Sequence, residues 1–192
     1  MPATGERWPD LREVLTSSGS LGQGCWCVAW RMPSGDFGRA DDARRREVMR
    51  DLLHREPPPG LLAYSGDTPV GWCNVGPRTA MERLVRSKTI QPVDDVPVWT
   101  VVCFVVRTGH RRKGVAEALL HGAVDFARKH GAPALEAYPI DPQGRRVSTT
   151  AAYVGTAGMF ERAGFRRLAP TSAKSAGLPR VVMRLDLQEA TP

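Results

Sequence analysis

The stretch VWTVVCFVVRTGHRRKGVAEALLHGAVDFARKH, Val98–His130, decides how this chain folds. Val101–Val106 is a short run of apolar, mostly β-branched or aromatic residues, the pattern of a strand buried on both faces. Arg107–Lys113 breaks it with small and basic residues. Val115, Leu119, Gly122 and Phe126 then recur at helical spacing, with Ala118 and Ala123 beside them. Gly131 and Pro133 stop that helix near His130. The order is strand, basic glycine-containing loop, helix.

That order suits an anion. The first N–H groups of a helix lack internal partners, and the helix dipole adds partial positive charge there, so such an end binds phosphate. Gly114 lets the backbone come close to an anion, Ala116 keeps the first turn slim, and Arg111, Arg112 and Lys113 add charge. An ordinary strand–turn–helix with a solvated basic turn has the same spacing.

Arg111-x-x-Gly114-x-Ala116 resembles the Q/R-x-x-G-x-G/A signature of the GNAT N-acetyltransferase superfamily, where this loop carries the pyrophosphate of acetyl-CoA. Read from Val106, the stretch follows the family pattern V-x-P-E-x-R-G-x-G-I-G, with Thr108, Gly109 and Arg112 departing from it. Met159-Phe160-Glu161-Arg162-Ala163-Gly164-Phe165 is similar to the family's L-Y-E-K-x-G-F, which lies beside the cofactor's pantetheine arm. The resemblance covers about residues 61–187.

The resemblance implies an α/β (α+β) fold: a mixed, mostly antiparallel twisted sheet of about six to seven strands flanked by helices. The length suggests one domain over 1–192, with a helical, Trp- and Cys-containing part at 1–60 that carries no family motif and, as the resemblance implies, a cofactor-binding core at 61–187. The resemblance also implies transfer of an acetyl group from acetyl-CoA, as co-substrate, to a primary amine. Arg111, Arg112, Lys113, Gly114, Val115 and Ala116 would seat the phosphates, with Phe160 beside the pantetheine. A backbone N–H at the end of the central strand, matched here by positions Phe104, Val105 and Val106, would face the thioester carbonyl, where negative charge develops.

The attacking amine must lose a proton, because a free ammonium has a pKa near ~10. Glu136, in Leu135-Glu136-Ala137, resembles the family's L-E-V glutamate that faces the acceptor, and is the expected base. Asp94 and Asp95 are alternatives. The usual acid is the Tyr of L-Y-E-K-x-G-F, here Phe160, which has no proton to give. Tyr153 is the expected replacement and Tyr138 the alternative; a thiolate can also leave unaided. A degenerate member that binds acyl-CoA as a sensor or partner module is the rival reading. Asp94, Asp95 and Glu136 favour a cationic acceptor, whereas Arg145 and Arg146 argue the opposite.

Composition narrows the classes. The 192 residues are 42% hydrophobic and 24% charged, as in a globular protein. No apolar run approaches the ~20 residues that span a membrane, and there is no basic-then-apolar leader, so a cytoplasmic chain without a membrane partner is expected. The net charge is +7, but the arginines are dispersed and no run forms a nucleic-acid arm. A nucleic-acid partner is therefore not expected, while monomer and homodimer both stay open. Cys25, Cys27, Cys73 and Cys103 include one C-x-C pair without a second pair or nearby His; free thiols and no metal are expected.

The remaining elements follow from pattern and punctuation. Helices are expected at Trp8–Thr16, Asp41–His54, Thr79–Ser87 and Gly155–Ala163. Cys25–Arg31 reads as a strand or buried extended segment and Pro33–Gly38 as a turn. Leu61–Tyr64 and Val70–Val75 form a hairpin about Ser65–Thr68. Lys88–Pro97 is a connector. Strands follow at Ala134–Tyr138, Phe165–Leu168 and Val181–Leu187, with a polar loop at Asp141–Thr150 and a polar segment at Ala169–Arg180.

Overall fold

A computed structural model describes residues 1–17, 24–148 and 151–188. Its frame is a six-stranded sheet in the order β1-β2-β3-β4-β6-β5. The strands are β1 Gly60–Ser65, β2 Thr68–Pro77, β3 Trp99–Val106, β4 Ala134–Ala137, β5 Arg166–Ser175 and β6 Leu178–Asp186. Only β3 and β4 run parallel; every other neighbouring pair is antiparallel. The parallel pair needs a crossover, and α5, Val115–Lys129, supplies it.

The alternation of side chains along the strands divides the core in two. On one face Cys73, Val75, Val101, Phe104, Leu135 and Met183 pack against Leu119, Leu120, Ala123 and Phe126 of α5 and against Met159 and Phe160 of α6, Ala157–Arg162. On the other face Leu62, Trp72, Cys103 and Val105 pack against Leu11, Val14 and Leu15 of α1, Trp8–Ser17, and Met49, Leu52 and Leu53 of α3, Asp42–Leu53. The Asp41 carboxylate caps α3 by accepting from Arg44 N–H at 2.8 Å. Val102, Tyr138 and Val182 cover the rest of this face with Met81, Leu84 and Ile90.

Four local expectations need correction. Cys25–Arg31 is buried, as its apolar residues require, but it forms tight turns: Trp26 and Cys27 have φ of 47° and 52°, and Arg31 N–H donates to Val28 O at 2.9 Å. The indole of Trp26 stacks on Trp8 at 5.7 Å and donates to Asp42 at 2.7 Å. Those contacts bury the ring without a strand. Pro33–Gly38, read as a turn, contains the short helix α2, Ser34–Arg39.

Thr79–Ser87 is broken at Met81 (φ −105°, ψ 76°) into a 3-10 turn, Arg78–Ala80, and α4, Glu82–Val85. The fully buried Met81 side chain occupies the break. Ala169–Arg180, read as a polar connection, is the paired end of β5 and β6. Ala176 and Gly177 close that hairpin with φ of 49° and 75°, the two positive values a tight primed turn requires. The polar character of β5 belongs to an edge strand. Thr149 and Thr150, in the predicted polar loop, lie outside the described residues.

Candidate active site

The site begins where two strands part. β3 and β4 are paired only from Trp99 to Val101 on β3 and from Leu135 to Ala137 on β4. Pro139, which has no N–H to give, follows closely, and Ile140 instead bridges to Thr156 and Arg180. Cys103–Val106 therefore continue along β3 without β4 beside them. The 3-10 turn Ala151–Val154 packs against β3 in this region.

Beyond the opening, β3 runs into the basic loop. Arg111 Nε donates to Val106 O at 3.1 Å, drawing the loop back over the strand end. Gly114 then takes φ 78° and ψ −1° and starts α5. A Cβ there would meet nothing within 4 Å, so backbone handedness, not space, calls for glycine. Arg112 and Lys113 are exposed beside the free N–H groups of the first turn. Loop charge, helix end and strand opening thus share one end of the sheet, and the residues fit an elongated anionic ligand.

The sequence model of the acetyltransferase (GNAT) family matches residues 26–165. The chain belongs to the GNAT acetyltransferase family. Acyl transfer is the activity of this family, and the open sheet matches its fold. No curated protein sequence matches the chain, but many solved structures share its fold.

The structure reported as histone acetyltransferase HPA2 and related acetyltransferase from Corynebacterium glutamicum has a TM-score of 0.60 at 18% identity, covering 100% of this chain and 97% of that one. The yncA protein of Salmonella typhimurium, with its cofactor acetyl-CoA, has a TM-score of 0.55 at 20% identity, covering 100% and 95%. The PaiA N-acetyltransferase of Thermoplasma acidophilum, in complex with coenzyme A, has a TM-score of 0.53 at 13% identity, covering 97% and 96%.

In this GNAT chain a cavity of about 1090 Å³ opens on the sheet face that carries α1 and α3. Cys103, two residues past the last β4-paired residue, is part of its wall, as is Tyr153 of the 3-10 turn. Burial pushes the Tyr153 phenol above its ordinary pKa, so it keeps its proton at neutral pH. The guanidinium of Arg180 faces it.

Glu136 is buried but does not line this cavity. It accepts from Arg184 Nη2 at 2.6 Å and from the Tyr138 hydroxyl at 2.9 Å. Arg184 also donates to both Asp94 oxygens, at 2.6 and 2.8 Å. Glu136 lies opposite Thr100, four residues before Phe104, or roughly 13 Å along an extended strand. Tyr138 is buried in the same network, receiving a bond from Arg78 at 2.6 Å. Asp95, Arg145 and Arg146 are exposed and do not line the cavity.

Phe104 and Phe160 meet in the core at 6.2 Å between ring centroids, and Phe160 meets Phe165 edge-on at 5.1 Å. Gly155, with φ 80°, lies so close that a Cβ would be 2.7 Å from the Phe160 ring. Phe160 therefore belongs to the core on the α5 side of the sheet and does not line the cavity. Val105 is fully buried and Val106 half-buried.

Sequence reasoning missed Arg180 and Arg184. The alternation Val181, Met183, Leu185 toward one face was a usable signal, because it puts residues 180, 182 and 184 on the other. Among the described residues no group of three or more His, Cys, Asp or Glu could hold a metal. Among the same residues no helix is long and apolar enough to cross a membrane.

Proposed function

We propose that this chain is an N-acetyltransferase that moves the acetyl group of acetyl-CoA to a primary amine by direct attack. The observation that carries the reading is the wall at Cys103: the cavity meets β3 at the point where β4 has left it. One side of that point leads to the Arg111–Ala116 loop, the other to open cavity. A donor and an acceptor can thus approach from opposite sides.

Arg111, Arg112, Lys113 and the first turn of α5 at Val115 and Ala116 hold the pyrophosphate. Backbone N–H groups of Phe104 and Val106, which point away from β2 because Arg107 N–H, and by alternation that of Val105, turns toward it, receive the thioester oxygen as negative charge develops there. The amine nitrogen forms a bond to the acyl carbon, the carbon–sulfur bond breaks, and the thiolate takes a proton from the Tyr153 hydroxyl. Tyr153 recovers a proton from the new ammonium-like nitrogen.

Glu136 acts on this scheme at a distance. Its carboxylate is engaged by Arg184 and Tyr138, and its role is to hold β4 and β6 in register behind the opening. The positive cavity itself lowers the pKa of an incoming ammonium, because a like charge disfavours the charged form. A dedicated carboxylate base is therefore not required. We place the enzyme in the cytoplasm, where acetyl-CoA is supplied and thiols stay reduced.

The burial of Phe160, with no hydroxyl at that position, favours a second reading as an acyl-CoA-binding module without turnover. Thiol release from acetyl-CoA over a panel of primary amines tests the two. Turnover with any amine supports the enzyme; acetyl-CoA binding by calorimetry with no thiol release supports the module.

A further inference from the structure

The walls of the cavity carry Arg83, Arg86, Lys88, Lys174 and Arg180, and no Asp or Glu among the described residues. Surface cations alone would say little, since water solvates them. Arg180 is different: it is 5% exposed. Its Nε donates to Tyr138 O at 2.7 Å, and its guanidinium lies 5.2 Å from the centroid of Trp30. Arg83 lies 5.7 Å from the same ring.

Among the described residues Arg180 has no ion pair. Of the partners facing it, Tyr153 and Tyr138 are phenols raised by burial and uncharged at neutral pH. The carboxylates that share its sheet face, Glu136 and Asp94, are both taken by Arg184. Arg180 and Arg184 alternate on β6, so one is neutralised by the protein and its neighbour two positions along that face is not.

A buried guanidinium without a counter-ion is costly, and bringing further cations toward it raises the cost. A ligand with an anionic oxygen pair removes that cost. Arg presents a planar fork that matches such a pair with two parallel hydrogen bonds. The cavity is also partly apolar, with Trp30, Phe37 and Ile90 in its wall.

We propose that the acceptor is a primary amine that itself carries an anionic oxygen group, a carboxylate or phosphonate seated on Arg180, on a partly apolar body. This rests on the transferase reading above and gives it a substrate class. The anion docks at Arg180 beside Trp30, Arg83 and Lys174 attract it from solvent, and the amine end points to Tyr153 and Cys103. Polyamines are rejected, because every added positive charge meets the same field.

The test uses the full chain and matched probes. Thiol release from acetyl-CoA is measured with amino acids bearing small, aliphatic, aromatic and acidic side chains. The same amino acids as carboxamides, 2-aminoethylphosphonate, and spermidine complete the series. In parallel, calorimetry in the presence of coenzyme A compares N-acetyl amino acids with their carboxamides.

At least one acid is expected to exceed its carboxamide by 100-fold or more in kcat/KM and in affinity, with spermidine inert. The phosphonate arm tells which oxyacid is preferred. Arg180→Met is expected to bring acid and amide within threefold of each other, Arg180→Lys to fall between, and both to keep wild-type acetyl-CoA affinity. Equal use of acids and amides, a preference for spermidine, or no N-acetyl acid bound overturns the proposal, even if some amine is acetylated. Acid binding lost in Arg180→Met but without thiol release keeps the anion site and sinks the transferase reading instead.

Discussion

Arg184 donates to Glu136 Oε1 at 2.6 Å, with the two side chains 5% and 3% exposed. The pair ties β6 to β4 at the residue that also faces Thr100 of β3. A carboxylate held this way stabilises the sheet and is poorly placed to collect protons from a ligand. Glu136→Gln should therefore cost about 1–3 kcal/mol of stability, read as a lowered urea midpoint, and leave acetyl-CoA affinity unchanged. An unaltered midpoint would show that the pair contributes nothing to the fold.

The same cluster sets an acid limit. The Arg184 hydrogen bonds hold the Asp94 carboxyl below its ordinary pKa, and Arg167 does the same for Asp141. A carboxylate with a depressed folded pKa contributes stability that is present above the unfolded value of ~3.9 and is lost as pH falls through the folded one. Urea midpoints should be flat from pH 7 to about 5 and drop below ~4. Asp94→Asn should lower the neutral plateau and soften the acid drop; an identical acid profile would remove Asp94 from the account.

Gly114→Val places a β-branched residue at φ 78°, where such residues are strained by about 1–2 kcal/mol. The first turn of α5 will shift to relieve it. Acetyl-CoA affinity should fall at least 10-fold by calorimetry while the far-ultraviolet circular dichroism stays native. Gly114→Asn should be milder, because Asn tolerates the left-handed region.

Tyr153→Phe removes a hydroxyl and little else. Turnover should fall about 100-fold with acetyl-CoA affinity kept. Because burial raises the Tyr153 pKa, the wild-type rate should show no loss from this group until above pH ~10. A silent Tyr153→Phe would mean that the thiolate leaves unaided.

Burial pushes the Cys25 thiol up to about 11 and raises Cys73, while the hydrogen bond with Cys103, and then burial, raises Cys27. At neutral pH the reactive thiolate fraction of Cys25 is on the order of one in ten thousand. Ellman's reagent should react slowly with these three thiols in the native protein and fast with all four cysteines after unfolding. Rapid native labelling of Cys27 would contradict the buried 3.4 Å contact between Cys27 and Cys103 sulfurs.

Val98–His130 was readable because three signals agree there: an apolar run, a breaker and a helical repeat. β3, the loop and α5 all follow from them. Cys25–Arg31 was not readable, because burial of Trp26 and Val28 is satisfied equally by a strand or by turns, and the choice depends on Trp8 and Asp42 far along the chain. The long β5–β6 hairpin was hidden because an edge strand has no apolar stripe to show. At the site, the loop between β3 and α5 was legible as a loop from its breakers, whereas its reading as an anion seat came from the family resemblance. The Arg180 pocket and the Arg184 cluster were not, because they join residues from distant segments. Only the sheet order brings Asp94, Glu136 and Arg184 together.

Trp30 gives the cavity a built-in optical signal. Trp72 and Trp99 are buried in the core and Trp8 stacks on Trp26, whereas Trp30 is the one tryptophan among the described cavity-wall residues. Two guanidinium groups lie within 6 Å of its ring, and a charge beside an indole shifts its emission. An anion that settles on those guanidiniums changes that local field directly. Occupancy of the cavity can thus be followed by the protein's own fluorescence, unlabelled, with Trp30→Phe as the dark control.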